Sequence, residues 1–124
     1  MPEQQKNRYK KDYGDSGEQL AKVALKEQGY VILEQNFRCR QGEVDLIAQE
    51  GKYLCFIEVK KRRNLQSGFP QEAVTPTKIR HICRTALYYL SIHRLPESTP
   101  VRFDVVVIVD EKVEIIRNAF SYTI

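Results

Sequence analysis

The stretch from Gly42 to Lys60 constrains this chain most, because it reads as two buried strands that carry charge. Gly42-Glu43-Val44-Asp45-Leu46-Ile47-Ala48 is followed by a polar turn at Gln49 to Lys52. Tyr53-Leu54-Cys55-Phe56-Ile57-Glu58-Val59-Lys60 comes next. An ionised group is costly to take out of water unless it is paired or bound to a metal. Asp45, Glu58 and Lys60, set inside such strands, are therefore candidate site residues.

Glu50-Gly51 is a turn signal, and a short loop centred there makes the segment a β-hairpin. That register pairs Val44 with Ile57, Asp45 with Phe56 and Glu43 with Glu58. Side chains alternate along a strand, so Glu43, Asp45, Phe56, Glu58 and Lys60 share one face. Asp45 and Glu58 become diagonal neighbours, roughly 7 Å apart at the backbone. Two carboxylates at that separation can reach one divalent cation. A slip of one residue would put them on opposite faces.

Asp45 followed by Glu58-x-Lys60 resembles the PD-(D/E)xK nuclease signature, with Val44 where a Pro often precedes the Asp. A longer ordered set resembles the YraN family, small proteins similar to Holliday-junction resolvases. The set comprises Gly14-x-x-Gly17-Glu18, Gly29-Tyr30, Leu33-x-x-Asn36-Phe37-Arg38, Gly42 to Ala48 and Phe56-Ile57-Glu58-Val59-Lys60-x-Arg62. It continues with Ala73-Val74-Thr75-x-x-Lys78 and Arg102-Phe103-Asp104. No Gln-x-x-x-Tyr follows the Lys, which argues against the helicase-associated nuclease branch. The resemblance implies Mg²⁺ or Mn²⁺ held by Asp45, Glu58 and the Val59 carbonyl, with Lys60 assisting the attacking water. It also implies DNA as the partner.

The chain of 124 residues is 42% hydrophobic and has no apolar run long enough to span a bilayer, so no membrane association is expected. Its first residues contain no apolar signal-peptide core. Cys39, Cys55 and Cys83 are odd in number and lack a Cys-x-x-Cys spacing, which indicates neither a disulfide framework nor a zinc site. Cys55 and Cys83 fall at apolar-patterned positions, as small core residues of a reducing cytoplasm would.

The net charge of +4 is uneven. From Lys52 to Arg84 there are eight basic residues against two acidic ones, while the rest of the chain is slightly acidic. The surplus directly follows the carboxylate hairpin, and basic clusters concentrate phosphates. Lys61, Arg62, Arg63 and Lys78 are the candidate nucleic-acid contacts, and Arg62 shares the face of Lys60. A solvated surface is the competing reading of this charge.

Residues 1–13 are expected to form a flexible arm and residues 14–124 one domain. Asp15-Ser16 starts a helix that Gly29 closes, with Leu20, Ala21, Ala24 and Leu25 inward. Tyr30 to Phe37 is a first strand, and the hairpin supplies two more. Arg63 to Val74 reads as a mobile loop. Thr75 caps a second helix with Pro76 at its first position, and Ile79, Ile82, Cys83, Ala86, Leu87 and Leu90 face inward. Arg102 to Val109 and Val113 to Ile116 are strands four and five. Short turns make the first three strands antiparallel neighbours, and the second helix crosses over to a parallel fourth. The expectation is an α/β fold, an αβββαβ core with a mixed sheet flanked by helices. The same element order characterises the restriction-endonuclease-like core.

Glu18 has two readings. It could complete a capping interaction with Asp15 as N-cap. It also shares a helix face with Ala21 and Leu25, and the resemblance to resolvases implies a share in the catalytic site. Glu43 is either an outer partner of the metal or a strand-edge residue in water. Asp104 reads as a structural partner for an Arg or a backbone amide.

Three functions remain open at this level. The first is metal-dependent hydrolysis of DNA, on branched or damaged forms among others. The second is a nucleic-acid-binding module without turnover. The third is a protein-interaction domain using the basic helix. A structural ion-pair cluster is the plain alternative for Asp45, Glu58 and Lys60, and a homodimer is left open.

Overall fold

The structure, a computed structural model, describes residues 17–62 and 74–123. The expected arm at 1–13, the Asp15 cap, Arg63 and most of the loop after it lie outside the described residues. The elements in order are α1 (residues 17–27), β1 (Val31–Cys39), β2 (Gly42–Glu50), β3 (Tyr53–Arg62), α2 (Pro76–Ile92), β4 (Val101–Val109) and β5 (Lys112–Phe120). The strands form one sheet in the order β1-β2-β3-β4-β5. Only the β3–β4 pair is parallel, because α2 carries the chain back across the sheet between them. Among the described residues this is the expected α/β architecture, a five-stranded mixed sheet and two helices consistent with a restriction-endonuclease-like core.

Each helix covers its own apolar layer. Ala21 and Leu25 of α1 pack on Leu46, Ala48, Cys55, Ile57, Val106 and Ile108. Ile82, Cys83, Ala86, Tyr89 and Leu90 of α2 pack on Val44, Ile47, Leu54, Phe56, Phe103, Val105 and Val107. Residues of β3 and β4 therefore alternate between the two layers, as a strand buried on both faces requires. Leu87, expected inward, is 39% exposed, and Tyr89 takes the inward place, edge-on to Phe37 and Phe56.

Helix α2 begins as its sequence dictates. Thr75 is extended (φ −72°, ψ 156°), its hydroxyl accepts the Lys78 amide hydrogen at 3.2 Å, and Pro76 occupies the first turn. Such a cap contributes about 1 kcal/mol and fixes where the helix starts.

The β2–β3 register differs from the expected one by two residues. Glu50 pairs with Tyr53 across a two-residue loop, Gly51-Lys52, and the ladder continues to Leu46 opposite Ile57. Gly51, at φ +57°, takes the left-handed conformation at the first loop position rather than the second half of a loop centred on Glu50-Gly51. A slip of two keeps the side chains of the paired residues, Leu46 to Glu50 and Tyr53 to Ile57, on their expected faces. Val44, expected on the face of Ile57, packs instead with Phe56 in the α2 layer. Strand β5 runs to Phe120, beyond the expected Ile116. It does so across an irregularity, for Phe103 pairs with Phe120 while Val105 pairs with Ile116.

Candidate functional site

Strands β1 and β2 both break their alternation at one level. Gln35 pairs with Leu46 and Phe37 with Val44, which sets Asn36 across from Asp45. Leu46 lies in the α1 layer, yet Val44 and Phe37, two residues away, lie in the α2 layer. Asn36 makes the reversal in β1 with a left-handed backbone (φ 54°), a conformation that Asn tolerates better than most residues. Asp45 thus sits at a kink, where a side chain need not follow the ladder.

The carboxylate of Asp45 uses that freedom to cross to β3. Its Oδ2 accepts the Val59 amide hydrogen at 2.8 Å, just past the last ladder pair, Leu46 with Ile57. Glu58, the residue before, alternates with Phe56 into the α2 layer and is 5% exposed. Burial pushes the Glu58 carboxyl up to about 8, and the neighbouring Asp45 adds to the rise; Lys78 and Lys60 oppose it.

Glu58 is also incompletely satisfied. Its buried Oε2 has no hydrogen-bond partner among the described residues, and the ammonium of Lys78, from the first turn of α2, stands 3.6 Å away. That separation gives Coulomb attraction without a well-formed hydrogen bond. Lys60 is half-buried two residues along β3, on the face of Glu58. Asp45, Glu58 and the Lys78 ammonium thus lie where β2 and β3 part, with Lys60 near enough to lower the Glu58 pKa.

The remaining candidates fall around this centre. Glu18 accepts a hydrogen bond from Asn36 at 3.2 Å and stands 3.5 Å from the Gln35 side-chain nitrogen. It therefore touches the residue across from Asp45. Among the described residues no three acidic, His or Cys side chains form a group able to hold a metal, so Glu18 is not gathered with Asp45 and Glu58. Glu43 pairs with Arg38 across the β1–β2 ladder at 3.0 Å, at an exposed position, which agrees with the strand-edge reading. Lys61 points to the α1 side, where a Cβ on Gly17 would come within 2.6 Å of its Cε. Arg62, half-buried, ends β3.

Away from the carboxylate pair lies a second polar cluster, centred on Asp104, which is fully buried. Its carboxylate accepts from Arg102 at 2.8 and 2.9 Å, from the Tyr30 hydroxyl at 2.8 Å and from the Asn118 amide at 2.9 Å. Arg102 and Arg117 both reach Glu50, with Arg117 forked onto its two oxygens at 2.8 and 2.7 Å. Chiefly through its hydrogen bond from Arg117, the Glu50 carboxyl is held down at about 2. Asp104 is the structural partner expected from the sequence. Glu50 and Arg117 were not expected, since 67 positions separate them and only the return of β5 brings them together.

Cys55 and Cys83 are buried and Cys39 is half-buried, all three as free thiols. Among the described residues no helix is long and apolar enough to cross a membrane.

Comparison with known proteins gives a family rather than an activity. The profile of a family described as "Uncharacterised protein family UPF0102" matches residues 17–108, which contain every element of the carboxylate site. A UPF0102 protein of Lachnoclostridium phytofermentans is 55% identical over 112 residues, covering 90% of this chain and 95% of the relative. One from Caldicellulosiruptor saccharolyticus is 47% identical over 117 residues, covering 90% and 98%. One from Syntrophus aciditrophicus is 47% identical over 112 residues, covering 87% of each.

Proposed function

This chain belongs to the UPF0102 family, the YraN family of the motif set, and we propose that it hydrolyses phosphodiester bonds of DNA with a divalent metal ion. The observation that carries this reading is the buried Glu58 Oε2, which has no hydrogen-bond partner among the described residues, in a carboxyl whose pKa the neighbouring Asp45 helps to raise. Two carboxylates confined together repel one another when ionised, and a divalent cation between them removes both penalties.

Mg²⁺ and Mn²⁺ fit this donor set. Mg²⁺ typically takes one or two protein carboxylates and completes its shell with water and substrate phosphate. Asp45 and Glu58 would hold it, with the Val59 carbonyl as a third oxygen. When bound, such an ion polarises a phosphoryl oxygen and lowers the pKa of water. Asp45 brings a fixed orientation, since the Val59 amide holds one of its oxygens. Lys60 directs its ammonium at the attacking water or at charge developing on the phosphate. Glu18, through Asn36, steadies the kink that carries Asp45. Arg62, Lys61 and Lys78 supply cations for the flanking backbone of the DNA.

One observation favours a competing reading, a structural ion cluster in which Lys78 neutralises Glu58. A cluster selected for stability alone would be expected to satisfy the buried oxygen, and among the described residues it is not satisfied. The deciding experiment incubates the purified protein with labelled linear, flapped, single-stranded and four-way-junction DNA in Mg²⁺, Mn²⁺ or EDTA. Metal-dependent cleavage that Asp45→Asn removes supports the proposal. Intact DNA in every mixture, together with no measurable metal binding, rejects it.

A further inference from the structure

Lys78 stands apart from the other basic candidates because its ammonium is already engaged within the carboxylate site. Its main chain is pinned, for its amide donates to Thr75 Oγ1 in the α2 cap and Pro76 fixes the turn before it. Its side chain is 30% exposed whereas that of Glu58 is 6% exposed, so the stem runs from the surface to a buried oxygen. A four-carbon stem on a fixed backbone can swing its charge by several ångströms without moving the helix.

The local charge count gives the swing a purpose. Asp45 and Glu58, when ionised, are balanced by Lys60 and Lys78. A divalent cation on the carboxylates adds two positive charges beside two ammonium groups. Lys78 is the ammonium paired with Glu58, and its 3.6 Å contact is not a formed hydrogen bond, so it is the group that a cation on Glu58 displaces. The displaced ammonium then lies at the rim of the site, where a phosphate could restore the balance.

We propose that Lys78 couples metal loading to DNA binding: it neutralises Glu58 in the metal-free protein and passes to a backbone phosphate once a divalent cation occupies Glu58. The inference rests on the nuclease reading of the same carboxylates. It differs from a permanent phosphate clamp because the contact exists only in the metal-loaded state.

The test measures duplex DNA affinity against salt, in EDTA and in Ca²⁺, which stands in for Mg²⁺ to keep the DNA intact. Wild type, Lys78→Ala and Lys78→Gln are compared, with Asp45→Asn as the variant that cannot load metal and circular dichroism confirming each fold. One phosphate contact adds roughly 0.7 to 0.9 to the slope of log affinity against log salt. Both Lys78 variants should lose that increment in Ca²⁺ and nothing in EDTA, with affinity in Ca²⁺ falling several-fold. In Asp45→Asn, adding Ca²⁺ should leave the slope unchanged. Equal flattening in both buffers would identify a permanent clamp and overturn the inference, as would no flattening in either. Cleavage in Mg²⁺ is scored separately. Wild type that cuts DNA without the Ca²⁺-specific increment refutes the coupling alone. Wild type that shows the increment without cutting refutes the nuclease reading alone.

Discussion

Asp45 accepts the amide hydrogen of Val59 at 2.8 Å, so a side chain joins β2 to β3 where their main-chain ladder ends. The same device recurs in the other polar cluster, where Asp104 accepts the amide of Asn118 beside the β4–β5 irregularity. In both places a carboxylate accepts an amide hydrogen that a ladder carbonyl would otherwise take. At Asp104 the strands stay paired, with Phe103 opposite Phe120 beyond the irregularity, and Arg102 and Tyr30 pack the carboxylate. At Asp45 the ladder goes no further than Leu46 with Ile57, and the gap lies beside Glu58 and its lysine partner.

Asp45→Asn should therefore abolish metal binding while keeping the fold. The Asn side-chain oxygen can still accept the Val59 amide, so the crossing from β2 to β3 persists, but the negative charge is gone. Calorimetric titration with Mn²⁺ should show binding to wild type and none to the variant, with unchanged circular dichroism. Undiminished binding would shift the metal away from this pair.

Glu58 makes stability depend on pH with a defined sign. Its folded-state pKa is raised from 4.5 to about 8, so the folded protein holds a proton that the unfolded chain has released. The contribution is complete below about pH 4.5 and disappears as pH rises through about 8. Metal requires the deprotonated carboxylates, so Mg²⁺ should stabilise the protein more as pH rises through that window. Thermal melts in EDTA and in Mg²⁺, at pH values on either side of it, provide the check. Glu58→Gln should remove both effects, and a Mg²⁺ shift that survives the substitution contradicts the assignment.

Much of this was legible because local signals and global fold agree. Thr75-Pro76 marks the start of α2, and alternation sorts Phe56, Glu58 and Lys60 onto one face whichever even register the hairpin adopts. The reversal at Asn36 and Asp45 was not legible, since a left-handed Asn within a strand pattern leaves no periodic trace. The pairing of Lys78 with Glu58 was hidden for another reason. It requires the crossover to bring the first turn of α2 back over β3, and a charge run in sequence reads equally well as a surface. Strand β5 was read short because Arg117 and Asn118 interrupt its apolar pattern, although Arg117 there clamps Glu50.

Arg102 should matter for stability rather than for catalysis. It links Asp104, Glu50 and Tyr30, and its removal strands a fully buried carboxylate. Breaking one partner of a buried pair costs about 3 to 5 kcal/mol. Arg102→Ala should show a loss of that order in urea unfolding, and Arg102→Lys a smaller one. Glu50 adds an acid limb. Its folded pKa, lowered to about 2, gives stability that is present above about pH 4.5 and is lost as pH falls toward about 2. Wild-type stability for Arg102→Ala at neutral pH would show that the cluster is only a surface network.

Lys60 separates chemistry from metal binding. It lies two residues along β3 from Glu58 and lowers the Glu58 pKa, and an ammonium has no lone pair to offer a metal. In the proposed reaction it acts on water or on charge gathering at the phosphate. Loss of one such preorganised donor typically costs about 100- to 1,000-fold in rate. Lys60→Ala should therefore lose cleavage by at least the lower figure while still binding Mn²⁺ and DNA. It should also raise the Glu58 pKa further, moving the pH-dependent loss of apo stability to higher pH. Lys60→Arg keeps the charge but spreads it over a planar fork, so it should restore the apo pH profile better than it restores the rate. If Lys60→Ala cleaves as fast as wild type, the acting cation is another residue, and Lys78 becomes the first to examine.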